Sequence, residues 1–336
     1  MKLSIGIVGL PNVGKSTLFK MLTKSDVLVA NYPFATIDPN VGIVPVPDER
    51  VDTLARISSS AKKIPAVVEF YDIAGLVKWA NEGEGLGNQF LSHIRETNAI
   101  VQVVRCFRQE DIVHVENSVD PIRDITTINT ELILKDLDTI QKRADKLERE
   151  SRTGDKTKKK DFEIIKEVEK TLNGEQLANT LSQDILEQPA ILELNLLTAK
   201  KQMYLLNGRR EEIDPNLLAF LDSIGSEYVI QDLSQNVDLG QVIKKAYEVL
   251  NLISFFTTGE DETRAWTIIN GWKAPQAAGT IHTDFENKFI RAEVVSYQDL
   301  VETGGWNQAK QKGKMRLEGK EYAVKDGDVI VVRHGS

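Results

Sequence analysis

The sequence predicts an α/β domain, interrupted by an antiparallel helical hairpin and followed by a small strand-rich unit. Three observations predict it. A glycine-rich turn, from Gly9 to Thr17, joins an apolar run of strand length to a helix start. A heptad seam of Ile133, Leu137, Ile140, Ala144 and Leu147 is answered by a second stripe of Phe162, Ile165, Val168 and Leu172. Beyond about Phe255 short strand-like runs replace the long periodic segments.

Leu3 to Val8 is the opening strand, and Thr17 to Thr23 continues as a helix with Leu18, Met21 and Leu22 on one side. Between them Gly9, Gly14, Lys15 and Ser16 satisfy G-x-x-x-x-G-K-[ST], the phosphate-binding loop. Its glycines let several N–H groups, including that of Val13, turn inward toward phosphate oxygens. The helix start at Ser16 and Thr17 adds partial positive charge. Lys15 is placed to reach the β- and γ-phosphates, and the Ser16 hydroxyl to hold Mg²⁺.

The segment Asn31–Asn40 carries two prolines and is irregular. Its Thr36 stands about twenty residues past the loop, where a switch threonine meets magnesium when the γ-phosphate is present. Val41–Val46 reads as an edge strand, because Pro45 and Pro47 interrupt it. Val67–Tyr71 is a second apolar strand, ending at Asp72-Ile73-Ala74-Gly75-Leu76. Asp72 is in place as a magnesium partner, and Gly75 offers an N–H to the γ-phosphate. Ser16, Thr36 and Asp72 thus form a three-part magnesium site. In many enzymes with this loop a glutamine after the glycine orients the attacking water. Leu76 cannot, so turnover is expected to be slow.

Gly83–Phe90 reads as a mobile loop entering a helix; no strand precedes its glycines, which excludes a dinucleotide fingerprint. Val101–Phe107 is a further buried strand, followed by a polar loop to Asp120. The hairpin follows. Its tip, Ser151–Lys160, is basic, and reads either as a contact for nucleic acid or an acidic partner or as a solvated turn. Gln202–Leu206 returns to a strand ending at Asn207-Gly208-Arg209-Arg210, the expected base-reading segment. No Asn-Lys-x-Asp occurs, so guanine lacks its usual carboxylate partner. Tyr228–Ile230 is expected as the last strand of this domain and Val242–Leu252 as its closing helix. The final unit is expected to be a small mixed sheet with one helix. Its strands are placed at Ala265–Ile269, Gly279–Phe285, Phe289–Val295 and Asp328–Val332, with helical spans at Tyr297–Leu300 and Trp306–Lys312.

Composition agrees with this plan. The chain has 336 residues, 41 % hydrophobic and 27 % charged, as in soluble globular proteins. No apolar run reaches the ~20 residues that span a bilayer. The amino terminus enters a strand at once, so no signal peptide is expected. Cys106 is the only cysteine and lies in an apolar run, which suits a core residue in a reducing cytoplasm. A formal charge of −8 argues against whole-surface nucleic-acid binding but allows local basic patches.

The chain resembles the YchF family, the Obg-like ATPases. The agreeing stretches are GLPNVGKSTLF (9–19), NYPFATIDPN (31–40), DIAGLVK (72–78), GEGLGNQFL (83–91), VVRCF (103–107), INTEL (128–132), APQAAGTIHTDFENKFIRAE (274–293) and KDGDV (325–329). The resemblance implies a Ras-like nucleotide domain in two parts, 1–123 and 191–253. It also implies a coiled-coil insertion at 124–190 and a ubiquitin-like β-grasp TGS domain at 254–336. It implies ATP in preference to GTP, slow hydrolysis with Mg²⁺, and association with ribosomes in the cytoplasm, with rRNA contacts through hairpin tip and TGS domain. His114, in the loop after VVRCF, is a candidate for the missing catalytic group, with an idle loop histidine as the other reading. Asn12 matches an asparagine that helps bind K⁺ in related enzymes, where the ion offsets developing charge. Two departures stand out: Arg210 replaces the family's glutamate three residues after the asparagine, and Trp79 replaces a small residue. An Obg-type GTPase and a nucleotide-binding scaffold with negligible hydrolysis are the competing readings.

Overall fold

The computed structural model describes residues 3–23, 40–73, 88–107, 118–152, 155–235 and 238–335. In chain order it begins with β1 (Ser4–Val8), α1 (Lys15–Thr23), β2 (Val41–Pro45), α2 (Glu49–Ser58), β3 (Lys62–Ile64), β4 (Val67–Asp72), α3 (Asn88–Glu96) and β5 (Ala99–Arg105). Next come the long helices α4 (Pro121–Ser151) and α5 (Lys156–Asn173), then α6 (Gln183–Leu186), α7 (Pro189–Leu192), β6 (Lys201–Asn207), α8 (Pro215–Ser223) and β7 (Glu227–Gln231). The remainder is α9 (Gly240–Val249), β8 (Leu252–Thr258), β9 (Glu262–Ile269), α10 (Ala274–Ile281), α11 (Thr283–Asn287), β10 (Phe289–Ser296), α12 (Tyr297–Thr303), α13 (Trp306–Gln311), β11 (Arg316–Glu318) and β12 (Asp328–His334). Among the described residues no helix is long and apolar enough to cross a membrane.

Two six-stranded sheets organise these elements. The first has the order β2-β4-β1-β5-β6-β7. Its pairings β1–β4, β1–β5, β5–β6 and β6–β7 are parallel, so the carboxyl ends of these strands share one edge. Near-continuous apolar runs are what a parallel sheet covered on both faces requires, and β1 and β5 are buried along their whole length. Cys106 follows β5; burial first, then the charges of Asp124 and Glu212, push its thiol up to about 12, which leaves it unreactive.

The helical hairpin forms as its periodicity predicts. Asp120 caps α4, accepting from the Arg123 amide at 3.1 Å, with Pro121 in the first turn. Ile133, Ile140, Ala144 and Leu147 pack with Ile165, Val168 and Leu172 in one buried cluster, Leu137 and Phe162 flanking it. The tip is more helical than expected. Asp155 accepts from the Thr157 and Lys158 amides, so α5 already starts at Lys156 and the lysines lie on its first turns.

The second sheet has the order β11-β10-β12-β8-β9-β3, and several helices accompany it rather than one. The stretch Gly279–Phe285 is not a strand. Ala274, Ala277 and Ala278 favour helix, the Lys273 amide donates to Gln276 Oε1 at 2.9 Å, and His282 Nδ1 accepts from the Asp284 amide to start α11. Gly279 lies against α11: a Cβ there would come within 2.4 Å of Glu286 Oε2. The expected helix to Leu252 ends at Val249, because Asn251 takes a left-handed conformation, φ 57°, and β8 begins at the next residue.

The described residues fall into two compact units, one from 3–23, 40–42 and 69–238, the other from 43–68 and 239–335. The expected bounds differ here, since they put 43–68 with the nucleotide domain. In the second unit β3 runs parallel to β9, with Lys62 opposite Glu262 and Ile64 opposite Arg264. Arg50 of α2 binds Asp48 and Asp326 and lies 5.0 Å over the Phe256 ring.

Candidate functional site

β1 delivers the chain into a loop at the carboxyl edge of the parallel sheet, where α/β proteins bind ligands. Gly9 has φ 151° and Gly14 φ 108°. Space also excludes side chains at both: a Cβ on Gly9 would lie 2.6 Å from the Val103 carbonyl, and one on Gly14 2.5 Å from Asn207 Nδ2. Asn12 adopts φ 60°, so the turn curls as a phosphate cradle must. The Leu18 amide donates to the Gly14 carbonyl at 2.9 Å, which starts α1 directly from the loop. Ser16 and Thr17 are exposed on that first turn.

Lys15 folds back over the loop and donates from Nζ to the Leu10 carbonyl at 2.7 Å. Burial lowers its pKa to about 8, against the charge of Asp72, which raises it. Asp72 ends β4, is 6 % exposed, and stands opposite Ile7 of β1. Its amide donates to the Asn40 carbonyl at 3.0 Å. The Lys15 ammonium at the start of α1 therefore senses the Asp72 carboxylate at the end of β4.

Asn207, at the end of β6 and 4 % exposed, ties three segments together. Its Nδ2 donates to the Val13 carbonyl at 2.9 Å, its Oδ1 accepts from the Leu233 amide at 3.0 Å, and its backbone carbonyl accepts from the Cys106 amide at 2.9 Å. Gly208 sits tightly beneath, where a Cβ would lie 3.2 Å from Cys106 Cβ.

A cavity of about 800 Å³ joins these features. That is within the usual range for small-molecule sites, ~300–1,000 Å³. One end is formed by Asn12, Gly14 and Thr17 of the loop, the other by Phe107, Asn207, Arg209 and Glu212, with residues 232–235 alongside. Arg105 steadies Phe107, its guanidinium 4.5 Å from the ring centroid. The loop after β1 and the segment after β6 thus open into one space.

Of the residues singled out in the sequence, Gly9, Asn12, Val13, Gly14, Lys15, Ser16, Thr17, Asn207 and Gly208 belong to this loop, helix start and β6 end, and Asp72 lies one strand away. Thr36, Gly75 and His114, and with them Leu76 and Trp79, lie outside the described residues. Arg209 falls within the expected base-reading segment, whereas Phe107, Glu212 and the loop 232–235 were not singled out as site residues. The signal was available, since 232–235 follows the last parallel strand at its carboxyl end. Among the described residues no group of three or more His, Cys, Asp or Glu side chains converges as a metal cage. Ser16 and Asp72, a hydroxyl and a carboxylate, are donor types that a magnesium ion shared with a nucleotide takes besides phosphates and water.

Residues 4–140 match the family model described as 50S ribosome-binding GTPase, and residues 252–335 match the YchF-GTPase carboxyl-terminal model, described as a protein of unknown function. The chain is 45 % identical over 363 aligned residues to the ribosome-binding ATPase YchF of Bacillus subtilis, covering 99 % of each. It is 46 % identical over 360 to that of Mycoplasma genitalium, covering 97 % of this chain and 98 % of the relative. A solved structure of the Schizosaccharomyces pombe YchF GTPase superposes with TM-score 0.90 at 40 % identity, covering 99 % of this chain and 98 % of that one.

Proposed function

The chain belongs to the YchF family, and on that footing we propose that it is a ribosome-binding ATPase whose nucleotide occupies the cavity between Gly9–Thr17 and residues 207–212. The observation that carries this is the Asn207 side chain. It links the phosphate loop through Val13 to the segment after β7 through Leu233, so one ligand spanning both ends is recognised as a unit.

The amides of the loop and the start of α1 would hold the phosphates. Lys15 would exchange the Leu10 carbonyl for the β- and γ-phosphate oxygens, a charge-assisted bond stronger than the one it leaves. Ser16 and Asp72, joined by Thr36, would hold Mg²⁺, which when bound neutralises charge between the β and γ oxygens. Gly75 would meet the γ-phosphate. With Leu76 unable to orient water, hydrolysis is slow, and Asn12 with K⁺ and the imidazole of His114 are the groups that would compensate. Loss of the γ-phosphate would relax the switch segments and alter docking to the ribosome through the hairpin and the carboxyl-terminal unit.

The test is single-turnover hydrolysis of ATP and GTP by intact protein and by Lys15→Ala, in K⁺ and in Na⁺, with ribosomes present and absent. Lys15→Ala is expected to lose at least tenfold in rate, and unchanged turnover would remove this site. GTP binding tenfold tighter than ATP, ~1.4 kcal/mol, would reassign the chain as a GTPase. Hydrolysis undetectable in every condition would make it the nucleotide-locked scaffold that Leu76 suggests.

A further inference from the structure

The position three residues after Asn207, where a base-reading carboxylate is expected, holds Arg210. A guanidinium has no acceptor to offer an amino group. The backbone explains how the role can pass to another residue. Residues Arg210–Glu212 form one 3-10 turn, and this turn carries Arg210 off the cavity wall while setting Glu212 and Arg209 on it.

Glu212 is well prepared for the task. Its Oε2 accepts from the Arg209 amide at 2.8 Å and its Oε1 from the Arg209 guanidinium at 2.9 Å. Those bonds pull the carboxyl below its ordinary value, so it is an acceptor only. A carboxylate has about four lone-pair sites, and Arg209 uses two. Acceptor capacity therefore remains on a side chain whose direction is already fixed. The other carboxylate on the wall, Asp232, is more heavily engaged, by three bonds within its own turn. It accepts from the Ser234 amide at 2.9 Å, the Ser234 hydroxyl at 2.6 Å and Gln235 Nε2 at 3.2 Å. The Asn207 carboxamide is likewise engaged at both ends.

We propose that Glu212, held by Arg209, is the carboxylate that accepts the hydrogen bond from the exocyclic amine of the purine base. This rests on the assignment of the cavity to a purine nucleoside triphosphate. The amine is the 6-amine of adenine or the 2-amine of guanine; these stand at different ring positions, so the base pose decides which of the two Glu212 meets. Sites built to bond a polar group reject analogues that lack it.

The experiment is calorimetric titration of the intact protein with four ligands: ATP, purine riboside triphosphate, GTP and ITP. The second and fourth lack the amine of the first and third. The intact protein is expected to prefer one aminopurine over its amine-free analogue by about tenfold or more. In Glu212→Ala that ratio is expected to fall to about twofold or less, while affinity for the amine-free ligand holds. Arg210→Ala is expected to keep the intact ratio. An equal weakening of all four ligands in Glu212→Ala, with the ratio preserved, would overturn the proposal and leave Glu212 as a cap of its turn. So would an intact protein that does not discriminate, or a ratio that responds to Arg210→Ala instead. If the intact protein bound none of the four, the assignment of the cavity itself would fall first.

Discussion

Lys15 donates to the Leu10 carbonyl while burial holds its pKa near 8, and the two facts give a pH dependence with a definite sign. Near neutrality the side chain is charged in both folded and unfolded chains, because about 8 and the ordinary 10.5 both lie above 7. Between those values the unfolded chain keeps a proton that the folded chain has released. This group therefore makes folding stability rise with pH across that interval. Nucleotide affinity runs the other way, since a neutral amine cannot counter phosphate charge. Calorimetry should give an ATP affinity that is level up to about pH 7.5 and falls above about pH 8, by at most about tenfold per pH unit. A level profile to about pH 9.5 would show that Lys15 does not touch the phosphates or that its pKa in the complex stays near the ordinary 10.5. Most of this end of the site was legible, because Gly9, Gly14, Lys15 and Ser16 form a contiguous motif whose backbone geometry follows from its glycines. Glu212 was not, because a spacing rule counts residues and a 3-10 turn changes which of them face inward.

The helical hairpin is joined to the sheet by a buried polar seat. Asp136 of α4 accepts from the Leu197 amide at 3.1 Å, the Thr198 amide at 2.7 Å and the Thr198 hydroxyl at 2.6 Å. Nearby, Lys200 Nζ donates to the Thr97 carbonyl at 2.5 Å and the Arg95 carbonyl at 3.0 Å, which holds the end of α3. Asp136→Ala would leave two buried amides and a hydroxyl without partners, at a cost of ~1–3 kcal/mol for each group that stays unpaired. Ile140→Ala, in the apolar seam, should cost ~2–5 kcal/mol. Denaturant unfolding measures both, and a loss below ~0.5 kcal/mol for Asp136→Ala would mean that water replaces the carboxylate. The seam was legible from its heptad, whereas Asp136 read as one more polar residue on a helix. The same contrast divides α2 from β3. Asp48, accepting from the Arg50 amide at 3.0 Å, and the spacing of Val51, Leu54 and Ala55 are signals for α2, which the sequence reading left unassigned. Lys62-Lys63-Ile64 announces nothing, since both lysines are exposed and the strand exists only through its pairing with β9.

For the molecule as a whole, the formal charge of −8 sits beside a hairpin tip with Lys158, Lys159 and Lys160 on the first turns of α5. If ribosomal RNA is the partner there, replacing all three by Glu should weaken ribosome co-sedimentation at least tenfold and reduce its salt dependence. Intrinsic ATP hydrolysis should not change. Co-sedimentation equal to that of the intact protein across salt concentrations would move the docking surface elsewhere. The second compact unit carries a further consequence through β3. Lys62 is synthesised 200 residues before its partner Glu262. At ~5–20 residues per second a nascent chain holds that segment without its neighbour for roughly 10–40 seconds. A gene fragment encoding 254–336 alone would produce a sheet with β9 bare along one side, where β3 belongs.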